Sequence, residues 1–240
     1  QRLAAGRSIV QLDCGPAPPG GLSRAAHAGC LAFELSSGTG RLVVNCGAGG
    51  ADHADWDAAL RATAAHSTLT LADTSSATIL QAPVQEDGPN GPRLTGGPVR
   101  TDSRRSETAQ GWMVEASHDA YVAPYGYVHE RRITLSPQGL MLTGADRLVA
   151  GRSGTGKLPF AVRFHIHPDV RVSRLEGGAF LLKLPGGEGW RFRAGGGEIS
   201  VEESIYLGGG VVRRAEQLVI SSMVRESPTE VAWVFEQIVA

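Results

Sequence analysis

Three segments decide how the chain is read: His27-Ala28-Gly29-Cys30-Leu31-Ala32-Phe33-Glu34-Leu35, then Arg41-Leu42-Val43-Val44-Asn45-Cys46-Gly47, then Ala65-His66-Ser67-Thr68. Leu31–Ser36 and Leu42–Cys46 have strand length and apolar character, and Ser37–Gly40 between them carries turn residues, so the pair reads as a β-hairpin. The third segment opens another strand-like run, Ser67–Ala72. Side chains alternate along a strand, so Val43 and Asn45 share a face, and a carboxamide on an otherwise apolar face needs a partner if buried. His27 precedes one strand and His66 another. Neutral imidazoles are good zinc ligands, but two of them need further donors from elsewhere, and an amide is a weaker ligand than a carboxylate. From spacing alone, hydrogen-bonded structural histidines are the alternative.

The same alternation recurs outward from these segments. Arg7–Asp13, Gly111–Ala116, Gly126–Leu135, Leu140–Asp146, Phe160–His167, Ile199–Leu207, Val211–Ser221 and Glu230–Ile238 all read as strands. Ala179–Leu184 and Gly189–Arg193, joined by Pro185-Gly186-Gly187-Glu188, form a second hairpin. Asp55–Ala65 has Trp56, Leu60 and Thr63 at helical spacing and reads as a short helix that Asp55 can cap. Asp73–Arg105 is polar and rich in Pro and Gly, which reads as a long loop or ragged hairpin. The expected fold is all-β: a large antiparallel, jelly-roll-like β-sandwich of two or more packed sheets, with at most one short helix. Residues 1–240 read as one domain, and a start at Gln1 reads as a piece of a longer or processed protein.

With 240 residues the chain can bury a sizeable core, and 32 glycines with 13 prolines supply the turns that many short strands need. A net charge of −1 gives no global attraction to polyanions, which argues against nucleic-acid binding as the main task. No apolar run approaches the ~18 residues of a membrane span. The 3 cysteines lack CxxC spacing and are odd in number, so they read as thiols rather than a disulfide framework.

In their order, the three segments resemble the sandwich domain of the heparinase II/III family of polysaccharide lyases. That family's pattern is HxHxDxLxFEL, then an apolar strand ending in Asp-x-Gly, then His-Asn-Thr. Its second histidine falls on His27, and Leu31, Phe33, Glu34 and Leu35 match the tail; its Asp falls on Asn45; and His66-Ser67-Thr68 matches the third part. The resemblance implies zinc held at the positions of His27, Asn45 and His66, with Asn45 in place of the usual carboxylate. The family's first histidine, which acts in catalysis, falls on Ala25, and the Asp after the second falls on Gly29.

By the same resemblance, the chain is the C-terminal sandwich of a lyase whose N-terminal helical toroid lies outside these residues. Its partners would be that toroid and an acidic polysaccharide cleaved by β-elimination at a uronic acid, in an exported or periplasmic protein. The catalytic Tyr and His come from the toroid, so the isolated chain is expected to show little or no activity. The departures at Ala25, Gly29 and Asn45 favour a rival reading, a non-catalytic module for glycan binding or domain packing.

Three other patterns bear on chemistry. His118-Asp119-Ala120-Tyr121 and His129-Glu130-Arg131-Arg132 form a second polar cluster. Alternation puts His129 and Arg131 on one strand face, where they are expected to bind substrate, arginine suiting a sugar carboxylate through paired hydrogen bonds; a solvated, ion-paired strand face is the alternative. Phe164-His165-Ile166-His167 places two imidazoles two residues apart, yet lacks the later Glu and His of a cupin metal site. Gly151-Arg152-Ser153-Gly154-Thr155-Gly156-Lys157 matches GxxxxGK, but Leu158-Pro159 follows instead of Ser or Thr, so it reads as a Gly-rich turn.

Overall fold

In the computed structural model, residues 1–49, 54–80, 93–151, 156–225 and 227–239 are described. One antiparallel sheet contains β1 (Arg2–Ala5), β2 (Ser8–Leu12), β3 (Phe33–Ser37), β4 (Gly40–Val44), β5 (Leu69–Leu71), β12 (Pro159–Ile166), β16 (Glu198–Tyr206) and β17 (Arg213–Met223). Its order is β1-β2-β3-β4-β12-β17-β16, with β5 also paired to β12. The other contains β8 (Thr101–Thr108), β9 (Gly111–His118), β10 (Tyr127–Leu135), β11 (Met141–Ala150), β13 (Arg171–Arg174), β14 (Phe180–Lys183), β15 (Gly189–Gly195) and β18 (Thr229–Ile238). Its order is β13-β14-β15-β18-β11-β10-β9-β8. A two-stranded pair, β6 (Thr78–Leu80) and β7 (Arg93–Thr95), flanks residues that lie outside the description.

The inner faces of the two sheets meet in one apolar core. Phe33 of β3 stacks on Trp233 of β18 at 5.2 Å and 3°, and Phe164 of β12 packs on Phe192 and Phe235 at 5.2 and 5.5 Å. Burying each such ring contributes roughly 2–3 kcal/mol before conformational entropy is counted. Both expected hairpins form. Ser37 pairs with Gly40 across a two-residue turn in which Gly38 takes φ 57°, a conformation that side chains resist.

Helix α1 (Ala54–Arg61) and a following 3-10 turn (Thr63–Ala65) occupy the expected helical stretch. A second helix, the single turn α2 (Val122–Tyr125), was not expected; four residues closed by Gly126 carry no periodic signal. Strand β3 starts at Phe33 rather than Leu31 because Leu31 has φ 60°, which breaks the extended run. The polar stretch 73–105 contains β6, β7 and most of β8. Residues 152–155 of the GxxxxGK match lie outside the described residues. All three cysteines are free thiols.

Candidate functional site

Arg61, the last residue of α1, builds the site from below. Its side chain is buried, with Nε donating to Ala26 O at 2.8 Å and Nη2 to Ser23 O at 3.0 Å. Ala28 N returns a bond to Arg61 O, and Thr63 Oγ1 donates to Ala28 O at 2.6 Å. The His27 segment is thereby fastened to α1 and to the turn that follows it. That turn delivers His66, whose Nδ1–H donates to Ala62 O at 2.8 Å. With the proton on Nδ1, His66 Nε2 is left as the acceptor for His27 Nδ1–H, at 3.1 Å.

Asn45 directly follows β4 and faces the same cavity. Its Oδ1 accepts Ser67 N–H at 2.9 Å, and its Nδ2 donates to Glu34 Oε1 at 3.1 Å. Ser67 Oγ donates to Val44 O and Thr68 Oγ1 to Cys30 O, so all three sequence segments are stitched together. A cavity of about 810 Å³ opens here, with His27, Gly29, Glu34, Asn45 and His66 in its wall. The structure thus brings His27, Asn45 and His66 to one place.

The wall has little positive charge. Burial pushes His66 down to about 4, against the opposing bond to Ala62. Burial, then the charge of Arg61, pushes His27 below its ordinary value. Both rings are therefore neutral near pH 7. Among the lining side chains, Arg2 stands against Asp13 and Glu34.

His129 and Arg131, expected at a substrate-binding surface, are corrected by the structure: both are buried, at 0% and 1% exposure. They share the parity of Tyr127, Ile133 and Leu135 along β10, and that parity faces the core. Ala120 N donates to His118 Nδ1, so the His118 Nε2–H donates to His129 Nδ1 at 3.2 Å, and His129 Nε2–H to Asp146 Oδ1 at 2.8 Å. Arg131 pairs with the same carboxylate at 2.7 and 3.1 Å, and Trp233 Nε1 donates to it at 2.8 Å. Burial alone would raise the Asp146 carboxyl; Arg131 and His129 together hold it well below the usual carboxylate range.

Arg131 also reaches toward the cavity from inside the core. Its Nη1 donates to Leu31 O and Ser67 O, both at 2.7 Å. The first bond holds Leu31 in its left-handed conformation, which costs roughly 1–2 kcal/mol in an L-residue. The second fixes the Ser67–Thr68 peptide and, with it, Ser67, whose N–H orients Asn45. Arg61, Arg131 and Asp146 were not singled out for these positioning roles by sequence reasoning. Parity was the available signal for two of them, with Tyr127 and Ile133 for Arg131 and with Leu142 and Leu148 for Asp146; Arg61 had none.

His165 and His167 do not share a site. His165 is buried, donating from Nε2 to Ala64 O, with Ser204 Oγ and Cys46 Sγ at its Nδ1. His167 lies beyond the strand end, beside Asp169.

A two-sheet antiparallel sandwich with a polar cavity at the His27–Leu35 and Ala65–Thr68 segments defines the class. The chain belongs to the heparinase II/III-like C-terminal family, whose model matches residues 1–234. It is 32% identical over 245 residues to FtsZ-localized protein C of Caulobacter vibrioides (strain NA1000 / CB15N), covering 97% of this chain and 41% of that protein. Among solved structures, a heparinase III superposes with a TM-score of 0.71 at 13% identity, covering 99% of this chain and 34% of the other. The heparan sulfate lyase HepC from Pedobacter heparinus gives 0.70 at 13%, covering 97% and 33%. At that identity the likeness is one of fold. The chain spans well under half the length of these relatives.

Zinc at His27, Asn45 and His66 is what the sequence resemblance implied, and the donor set can be tested against it. Two imidazole nitrogens on a tetrahedral zinc stand about 3.3 Å apart, near the observed separation, so spacing does not decide. The donors do. No group of three His, Cys, Asp or Glu side chains able to hold a metal exists among the described residues. The third candidate, Asn45, is uncharged, with both ends of its amide engaged. The residues present do not complete a zinc site.

Proposed function

We propose that this chain is the sandwich half of a polysaccharide lyase and forms one wall of a cleft for a uronate-containing polysaccharide, which the whole protein cleaves by β-elimination. The observation that carries this reading is the polar cavity formed by the family's own segments, with His27, Asn45, His66 and Glu34 in its wall. The reaction needs a base for the proton beside the carboxylate, an acid for the leaving oxygen, and charge to stabilise the enolate-like transition state. Ala25 offers no proton-transfer group, and the one cationic side chain in the wall, Arg2, is offset by Asp13 and Glu34. The wall therefore binds and orients, and base, acid and charge come from outside these 240 residues, from an N-terminal helical toroid. Export of the whole protein, to the periplasm or beyond, follows from an extracellular substrate.

The test is absorbance of unsaturated product at 232 nm on heparan sulfate and alginate, for the full-length protein and for this chain. Activity in the first and none in the second is expected; product from the isolated chain overturns the division of labour.

A second reading has its own support: a non-catalytic module, for glycan binding or for docking to a protein. Ala25, Gly29 and Asn45 depart together from the lyase pattern, and the relative at 32% identity is named for its localisation with FtsZ. Full-length protein that is folded, inactive on every uronate polymer and co-sediments with FtsZ filaments would replace the first reading with this one.

A further inference from the structure

The mismatch between the zinc pattern and the donors present has a structural counterpart at two of the departing positions, Gly29 and Asn45. Gly29 lies under the His66 ring: a Cβ there would sit 2.7 Å from His66 Cδ2 and 3.2 Å from His66 Nε2. The missing side chain is what lets the ring settle against the backbone and reach His27 Nδ1. Ala62 O holds the His66 Nδ1 proton, so the nitrogen turned toward His27 is an acceptor that His27 already fills. Asn45 completes the arrangement. Its Nδ2–H is a donor toward Glu34, a role a carboxylate cannot fill, so the position is matched to an amide.

We propose that the His27–Asn45–His66 pocket of this chain is a closed hydrogen-bonded clasp that takes no divalent cation, and that Asn45, which supplies an amide where a zinc site needs a charged donor, is the residue that keeps it so. A single carboxylate at position 45 would turn the same pocket into a zinc site. Asn45→Asp keeps the acceptor for Ser67 N–H, so the local backbone is retained. It also sets a second carboxylate against Glu34 where a hydrogen bond of 3.1 Å now stands. That repulsion is relieved by a cation drawn between the carboxylates and the imidazoles, with His27 and His66 turning their lone pairs to it. The inference holds under either functional reading, because it concerns what the pocket binds and not what the whole protein does.

The experiment loads the purified chain with zinc chloride, removes free metal by gel filtration, and measures zinc by elemental analysis alongside a thermal melt by circular dichroism. Wild type is expected to retain only substoichiometric zinc. Asn45→Asp is expected to retain about one zinc per chain, to bind it about a hundredfold or more tighter than wild type, and to lose it when His66→Ala is added. If Asn45→Asp folds only with zinc present, the metal dependence of its melt supports the proposal equally. If it folds under neither condition, Asn45→Asp with Glu34→Gln removes the repulsion and is expected to bind zinc. The proposal is overturned by stoichiometric zinc in wild type that His27→Ala abolishes, or by folded aspartate variants that take up none.

Discussion

The His118–His129 and His27–His66 pairs have nearly the same internal geometry, with ring centroids 5.0 and 5.1 Å apart and planes at 87° and 88°. Each is joined by one nitrogen-to-nitrogen hydrogen bond, at 3.2 and 3.1 Å. They differ in where the chain of bonds ends. The first runs into the core to Asp146, a carboxylate that also accepts from Arg131 and Trp233. The second runs to the backbone carbonyl of Ala62 and borders an open cavity. An imidazole pair is thus a neutral spacer in both places, and the group behind it sets the role. With a buried ion pair behind it, the spacer belongs to the frame between the sheets. With a carbonyl behind it, the spacer is part of the wall of an open cavity.

The sharpest way to break this contrast is to remove the carboxylate. Asp146→Ala leaves the Arg131 guanidinium buried with only carbonyl partners, and an uncompensated buried charge costs about 3–5 kcal/mol. Urea unfolding measures it. A loss under about 1 kcal/mol would show that the interior network is no more structural than the cavity pair.

Acid acts on both pairs in the same sense, because burial lowers all four histidines, and it tests the interior pair by a smaller amount. Burial, reinforced by the charges of His129 and Arg131, holds His118 well below the ordinary histidine value, and burial also lowers His129 against the opposing bond to Asp146. A histidine that takes its proton less readily folded than unfolded favours the unfolded chain once it is charged. Stability is therefore complete above pH ~6.5 and falls below it by up to about 1.4 kcal/mol per pH unit for each such histidine. Asp146 has the same sign in a lower window, because its folded value is depressed: its contribution is full above pH ~3.9 and is lost only further down. Urea unfolding of His118→Gln is expected to show a loss between pH 6.5 and 5 smaller than that of wild type by about 2 kcal/mol. Equal losses would mean that His118 carries its proton in the folded chain.

The smallest expected effect tests the cavity pair. Gly29→Ala forces a Cβ against the His66 ring, and the resulting overpacking costs about 1–2 kcal/mol. The ring nitrogen-15 shifts of His27 and His66 should change together as their hydrogen bond breaks, while those of His118 and His129 stay in place. Unchanged His27 and His66 shifts would show that the pair does not depend on the missing side chain.

Much of the architecture could be read from alternation. Strands β2, β9, β12 and β18 fall where apolar residues recur at every second position, and the two hairpins fall where Gly-rich turns separate such runs. What escaped had no apolar rhythm: β8 reads Thr-Asp-Ser-Arg-Arg-Ser-Glu-Thr and is mostly exposed along the sheet edge. The three cavity residues were legible as a group because each lies inside a patterned segment. His129 and Arg131 were placed on the right strand and with each other, but on the wrong side of the sheet. A polar pair at core parity looks like a surface pair until Asp146 is seen to compensate it.

The residues by themselves determined that this chain makes many short strands, and which side chains share a face, because a strand's side-chain period is fixed by backbone geometry. Only the tertiary structure decided which of those faces became core. It alone brought Arg131 to Ser67 and His27 to His66 across 64 and 39 positions of sequence. Contacts of that range depend on how two sheets stack and on which buried charge finds its counter-ion. Local periodicity encodes neither.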